Sequence, residues 1–219
     1  MTATPTQDFR NAYHNHIRTD VIAHIPKTGG KLLDLGGGIG ATAATIRDMG
    51  LVDQAGTADI VENANPPFAL DYRYQGNLED PAMVAHILAE QGQFHVILAL
   101  DVLEHLVDPW AMARQLESCL APGGILVVSI PNIRNFTALF PLLFRNKFSY
   151  QDAGILDRTH LRFFVRETAI DLVAQAGLKI EKVAPSATGA RKIALFRKLT
   201  LGLFNSFTDR QYIIIGRKN

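Results

Sequence analysis

Residues 32–42 read LLDLGGGIGAT: an apolar run, an aspartate, then four glycines within five positions. No other stretch of this chain restricts its fold as much. Glycine at a strand-to-helix turn accepts positive φ and lets a ligand approach the main chain with no Cβ in the way. The segment therefore predicts a strand ending in a nucleotide-type binding loop, with a helix starting near Ala41.

The neighbouring sequence extends the pattern. KLLDLG (31–36), QAGTADI (54–60), RYQGN (73–77), FHVILAL (94–100) and ILVVSI (125–130) read as strands. ATAATIRDM (41–49), MVAHILAEQ (83–91) and AMARQLESCL (111–120) read as helices between them. Apolar β runs alternating with helices predict parallel strands covered on both faces, a doubly wound α/β sheet whose ligand sits at the strands' carboxyl ends. A helix RETAIDLVAQAG (166–177) and strands LKIEKVA (178–184) and QYIIIGRK (211–218) follow. Ahead of the first strand, Phe9, Tyr13, Ile17, Val21 and Ile22 predict an amphipathic helix over 6–24 that ends before Pro26. A length of 219 residues suits one domain, expected over 1–219.

Charge and cysteine content narrow the function. With 22 basic and 21 acidic residues, nothing global points to nucleic acid or an anionic membrane as partner. The single cysteine, Cys119, forms no internal disulfide and no Cys-rich metal site, which fits a reducing cytoplasm. The first residues lack the charged-then-apolar order of a signal peptide, and no apolar run reaches the roughly 20 residues that span a bilayer. A cytoplasmic location is expected.

Two templates fit the glycines. Gly36, Gly38 and Ala41 satisfy the dinucleotide pattern G-x-G-x-x-G/A, which makes an NAD-dependent oxidoreductase the alternative reading. Asp34, Gly36, Gly38 and Gly40 satisfy D-x-G-x-G-x-G, where a carboxylate at the loop entrance repels a pyrophosphate but suits an ammonium group. That favours a ligand bearing an amino acid. Asp59, closing the second strand, suits ribose hydroxyls under either template. Asn77 offers an amide to an adenine edge, with Leu78 to pack on the ring. LDVLEHLVDP then sets an acidic, imidazole-bearing turn at the end of the fourth strand.

LLDLGGGIG, the acid at Asp59, GNLED, FHVILALDVLEHLVDP and LAPGGILVVSIPN together resemble the class I S-adenosylmethionine-dependent methyltransferases over nearly the whole chain. EHLVDP, DRTHLRFF and QYIIIGRK are similar to the branch of ubiquinone-pathway O-methyltransferases and enzymes of glycan and natural-product biosynthesis. The resemblance implies a Rossmann-like, seven-stranded, mostly parallel sheet with helices on both faces and an antiparallel last strand, residues 211–218 inserting beside 178–184. It implies S-adenosylmethionine as cofactor. Gly36, Gly37, Gly38 and Gly40 would lie against its methionyl and ribose part, Asp34 at the loop entrance, Asp59 and Ile60 at the ribose, Asn77 and Leu78 at adenine, and Asp101 near the amino group. Asn77 stands where such adenine loops often carry aspartate; an amide still hydrogen-bonds adenine.

A hydroxyl acceptor must lose a proton, and His105 and His160 are the candidate bases. For His105 the plainer reading is that it and Glu104 brace the helix beginning near Pro109. Residues 132–162 are rich in aromatics and arginines and are expected to form a lid over the acceptor. In that segment Phe136, Phe140, Phe144 and Phe148 recur every four residues, a helical stripe interrupted by Pro141. Arg134, Tyr150 and Arg162 are the candidate acceptor contacts, guanidinium groups suiting an anionic or phosphate-bearing molecule. KIALFRKLTLGLFNSF (192–207) reads as a packed basic amphipathic helix or a dimer contact. No metal is expected: Asp101, Glu104 and His105 offer a partial site, and Asp101 is claimed by the cofactor. The partners expected are a small-molecule or glycan-linked acceptor and a possible homodimer, with no nucleic acid and no stable membrane association. A non-catalytic binding module with this fold is a third reading.

Overall fold

Four of the five residues of β1 (Lys31–Leu35) are buried, which puts this strand inside a sheet in the computed structural model, whose described residues are 17–61, 67–186 and 191–219. It pairs in parallel with β2 (Gln54–Asp59) on one side and β4 (Phe94–Leu100) on the other. β3 (Tyr72–Gln75) extends the sheet beyond β2, and β5 (Leu120–Pro131) extends it beyond β4, both in parallel. β7 (Gln211–Arg217) inserts between β5 and β6 (Lys179–Pro185) and runs antiparallel to both. The sheet has seven strands in the order β3-β2-β1-β4-β5-β7-β6. This is the expected Rossmann-like architecture, with the last strand where the resemblance placed it.

Period-two alternation sends neighbouring side chains to opposite faces, and each face has its own core. Leu33, Leu35, Ile97, Leu126 and Ile214 face one cluster, with α3 (Pro81–Gln91), α4 (Pro109–Cys119) and α6 (Arg166–Ala174) supplying Ile87, Leu116 and Leu172. Leu32, Val96, Leu98, Val127 and Ile213 face the other, covered by Val21 and Ile22 of α1 (Thr19–Ile22) and by Ala43 and Ile46 of α2 (Ala41–Asp48). Each buried Leu or Ile contributes about 1.5–3 kcal/mol.

Caps locate the helices that flank the site. Asp80 Oδ1 accepts from the Ala82 amide at 2.9 Å, and Asp108 Oδ1 accepts from the Ala111 amide at 2.9 Å. A proline follows each cap, where its missing N–H costs nothing.

Three helical expectations need correction. Within the described part of 6–24 only one helical turn forms, Thr19–Ile22; residues 6–16 lie outside the described residues. α5 (Phe136–Arg145) runs through Pro141 and stops at Asn146, whose φ of 47° is left-handed, so Phe148 falls beyond the helix. Segment 192–207 is not one helix: α7 (Arg191–Leu199) and α8 (Asn205–Thr208) are separated by a turn containing Leu201 and Gly202, both at positive φ. Among the described residues no helix is long and apolar enough to cross a membrane.

Candidate functional site

β1 delivers the glycine turn. The Gly36 amide donates to the Ala58 carbonyl at 2.8 Å, and Gly36, Gly38 and Gly40 have φ of 67°, 54° and 86°. Gly37 is bare for a different reason: a Cβ there would lie 2.5 Å from the Asp34 carboxyl carbon and 2.7 Å from Thr57 Oγ1. Asp59 closes β2 beneath the turn, its Oδ2 accepting from the Gly38 amide at 2.7 Å and its Oδ1 from the Val61 amide at 2.9 Å. Each of those oxygens has a second lone pair for a ligand.

Asp34 is fully buried under this turn. Burial, reinforced by the charge of Asp59 and opposed by Arg18, pushes its carboxyl up to about 7. Asp34 does not line the cavity, so it cannot be the carboxylate that greets an ammonium group at the loop entrance. Asp101 can.

Asp101 follows β4 at a φ of 57°, a conformation that costs a non-glycine residue energy and persists only where its surroundings fix it. They do. Arg18 Nη1 donates to its Oδ2 at 2.7 Å, while Ser129 Oγ at 3.1 Å and Gln211 Nε2 at 2.7 Å donate to its Oδ1. Arg18 Nη2 also donates to Ser129 Oγ at 3.1 Å. Burial raises the Asp101 pKa, and these donors oppose the rise.

A cavity of about 940 Å³ opens at the carboxyl ends of the strands. Gly36, Asp59, Ile60, Asn77, Leu78 and Asp101 line it, whereas Asp34, Gly37, Gly38 and Gly40 stand behind. Asn77 Oδ1 accepts from the Glu79 amide at 3.0 Å, and Glu79 Oε1 accepts from the Val107 amide at 2.6 Å. That relay ties the loop after β3 to the turn after β4.

The same cavity is lined by Glu104, His105 and His160. Glu104 does not cap α4, a task Asp108 performs; its carbonyl accepts from the Leu161 and Arg162 amides at 2.9 and 3.0 Å. Its side chain is 1% exposed, and neither carboxylate oxygen has a hydrogen-bond partner. Burial, then the charge of Asp101, holds this carboxyl well above the usual carboxylate range. His105 Nδ1 lies 3.0 Å from Thr159 Oγ1 and 3.2 Å from the Thr159 carbonyl. His160 is buried, with Nδ1 3.1 Å from the Ile155 carbonyl and its ring 4.7 Å from that of His105, edge to face. Burial, then His105, lowers the His160 pKa.

Residues 153–160 of the expected lid do reach the cavity, through Ala153, Gly154, Ile155, Asp157 and Thr159 as well as His160. The three expected acceptor contacts do not. The Arg134 guanidinium sits 4.3 Å over the Phe207 ring. Arg162 donates to the Val107 carbonyl at 2.5 Å, bracing the turn after β4. Tyr150 is 59% exposed and packs edge-on to Phe148. Arg210 and Gln211 line the cavity instead. The sequence reading passed over both, and over Arg18; the signal available for Gln211 was its place at the head of QYIIIGRK, whose register sets it opposite Pro131.

Residues 10–183 match the family described as "Methyltransferase domain". A ubiquinone biosynthesis O-methyltransferase of Ruegeria pomeroyi is 32% identical over 168 residues, 70% of this chain and 62% of that protein. One from a Caulobacter species is 33% identical over 111 residues, 49% of this chain and 43% of that protein. The chain thus spans about half the length of the curated relatives it matches. Among solved structures, a SAM-dependent methyltransferase from Archaeoglobus fulgidus superposes with a TM-score of 0.62 at 16% identity, covering 97% of this chain and 99% of that one. The N-methyltransferase NodS of Bradyrhizobium japonicum, solved with S-adenosylhomocysteine, gives 0.54 at 13% identity, covering 96% and 87%. At these identities the likeness establishes the fold.

Proposed function

Because the chain belongs to the methyltransferase-domain family, we propose that it transfers the methyl group of S-adenosylmethionine to an oxygen of a small-molecule or glycan-linked acceptor. The observation that carries the reading is the meeting of a glycine turn, Asp59 and Asp101 on one cavity at the ends of β1, β2 and β4.

The residues suit that cofactor. A turn without a Cβ at Gly36, which lines the cavity, admits a nucleoside close to the main chain. Asp59 keeps lone pairs for a ribose diol, and Ile60, Asn77 and Leu78 offer an apolar and amide surface to adenine. Asp101 already accepts from a cation, Arg18, and would accept from the ammonium of the methionyl part. Asp34 supports the turn from beneath. Bound here, the cofactor supplies an electrophilic methyl on a sulfonium.

The chain's own share is to position, dry and deprotonate the acceptor. Holding it in line with the methyl contributes about 7–11 kcal/mol. Residues 153–160 cover the acceptor side and exclude water. The acceptor proton is handled at His105 or His160, and burial, by lowering the His160 pKa, keeps that ring neutral and ready to accept it. Arg210 and Gln211 take over the acceptor-contact role first expected of Arg134, Tyr150 and Arg162, which are turned to other partners.

Thermal melting with S-adenosylhomocysteine and with NADH tests the reading, since a ligand of the folded state raises Tm by mass action. A rise with S-adenosylhomocysteine alone supports it and licenses a screen of hydroxylated acceptors with methyl-labelled cofactor. A rise with NADH alone returns the oxidoreductase reading.

A further inference from the structure

Among the described residues that line the cavity, Arg210 is the one arginine or lysine, beside five carboxyl side chains. The carboxyls are engaged. Asp59 and Glu79 accept from main-chain amides, Asp157 accepts from the Thr159 amide and hydroxyl, and Asp101 accepts from Arg18. Burial holds Glu104 well above the usual carboxylate range, which favours its neutral form. Arg210 is not engaged: its side chain is exposed and, among the described residues, makes no hydrogen bond, ion pair or ring contact. Nearby arginines turn to the protein instead, Arg134 to the Phe207 ring, Arg162 to the Val107 carbonyl and Arg197 to Thr208 and Asp209.

We propose that Arg210 binds a carboxylate or phosphate of the acceptor, so that the substrate is an anionic hydroxylated molecule. This rests on the methyl-transfer reading above for what happens to that molecule. The main chain beneath the free guanidinium is fixed. The Arg210 carbonyl accepts from the Asn132 amide at 2.9 Å, Asp209 before it is bound by Arg197, and the Gln211 amide after it donates to Asp101 at 2.7 Å. A rigid base with an uncommitted fork of donors suits two-point recognition of an oxyanion.

The position suits a second molecule beside the cofactor. A volume of about 940 Å³ is near the top of the roughly 300–1,000 Å³ range of small-molecule sites. On the methyl-transfer reading Asp101 marks the methionyl end, and Arg210 follows one residue from the Gln211 that touches it. Pro131, Ala153 and Ile155 add an apolar wall to the same cavity. An apolar body against that wall and one charge at Arg210 would fix an acceptor in a single orientation.

The rival partner for Arg210 is the carboxylate of the cofactor itself. Arg18, 2.7 Å from Asp101, already supplies a guanidinium at the methionyl end, which leaves Arg210 for the acceptor.

The test is a ligand-observed NMR titration of the full chain in excess S-adenosylhomocysteine with phenyl phosphate, benzoate and phenol, which share one ring and differ in charge. S-adenosylhomocysteine binding is measured by calorimetry on the same samples. At low salt phenyl phosphate or benzoate should bind about tenfold tighter than phenol, and the tighter of the two tells phosphate from carboxylate. Arg210→Gln should abolish the preference and Arg210→Lys should keep part of it, with the S-adenosylhomocysteine Kd unchanged in both. Anions that bind no better than phenol overturn the proposal, as does a preference that survives in Arg210→Gln. A weakened S-adenosylhomocysteine Kd in Arg210→Gln also overturns it, by giving Arg210 to the cofactor carboxylate. An anion preference lost in Arg210→Gln, in a protein that binds no S-adenosylhomocysteine, keeps the anion site and removes the methyl-transfer reading.

Discussion

Arg18 and Asp101 meet at 2.7 Å across 83 positions of sequence, joining the segment before α1 to the turn after β4. With Ser129 of β5 and Gln211 of β7, they converge four separate parts of the chain on one carboxylate. The left-handed backbone at Asp101 is held in place by this convergence.

Asp101→Asn keeps the shape and removes the charge that would face an ammonium group. A hydrogen bond to a charged partner is worth about 1.5–3 kcal/mol, so S-adenosylhomocysteine affinity should fall roughly 10- to 100-fold. Isothermal titration calorimetry checks it, and an unchanged Kd would separate Asp101 from the cofactor.

Gly37→Ala sets a methyl against the Asp34 carboxyl and Thr57 Oγ1. Overpacking of this kind costs about 1–3 kcal/mol, with Tm lowered accordingly and cofactor binding lost or weakened. A variant as stable as the wild type would mean that the turn can move away from Asp34.

Asp34 itself carries a pH dependence. Its carboxyl titrates at about 7 in the folded protein against 3.8 when unperturbed, so between those values the folded state holds the proton that the unfolded state has lost. Its contribution to stability is complete below about pH 4 and is lost as pH rises through 7. Asp34→Asn does not titrate. Compared with this variant, the wild type should lose Tm between pH 4 and 7; parallel Tm profiles would refute the buried acid as the cause.

Asn132 fastens the start of the 132–162 insertion. It is fully buried, donates from Nδ2 to the carbonyls of Ser206 and Asp209 at 2.7 and 2.9 Å, and accepts from the Arg134 amide at 3.0 Å. Asn132→Ala removes all three bonds, although the Asp209 carbonyl keeps its bond from Asn135 Nδ2 at 3.0 Å, a loss of about 1–3 kcal/mol measurable by urea unfolding. A midpoint unchanged from the wild type would show that other contacts anchor the insertion.

The sheet and the nucleotide end of the cavity were legible because their signals are local. Leu32 to Leu35 alternate between two cores, Gly36, Gly38 and Gly40 stand where the main chain takes positive φ, and Asp59 follows directly at a strand end. Pro109 drew attention to Glu104 and His105 as braces, yet Asp108, one residue before it, does the capping. The acceptor side was less legible because direction there is set by distant partners. Arg134 was chosen for its charge, and the Phe207 ring that holds it sits far along the chain. Arg162 faces a carbonyl at Val107 that no spacing rule exposes. His160 was rightly placed near the cavity, but its neighbour Glu104 becomes visible only when the insertion folds back on the turn after β4.

β7 is made last and seated between strands made before it. Until residues 211–217 leave the ribosome, β5 and β6 have no bond to each other, so a nascent chain carries β5 as an open edge and β6 with no partner strand. Gln211, the first residue of that strand, also completes the ring of donors around Asp101. Closing the sheet and completing the donors around Asp101 are therefore one event.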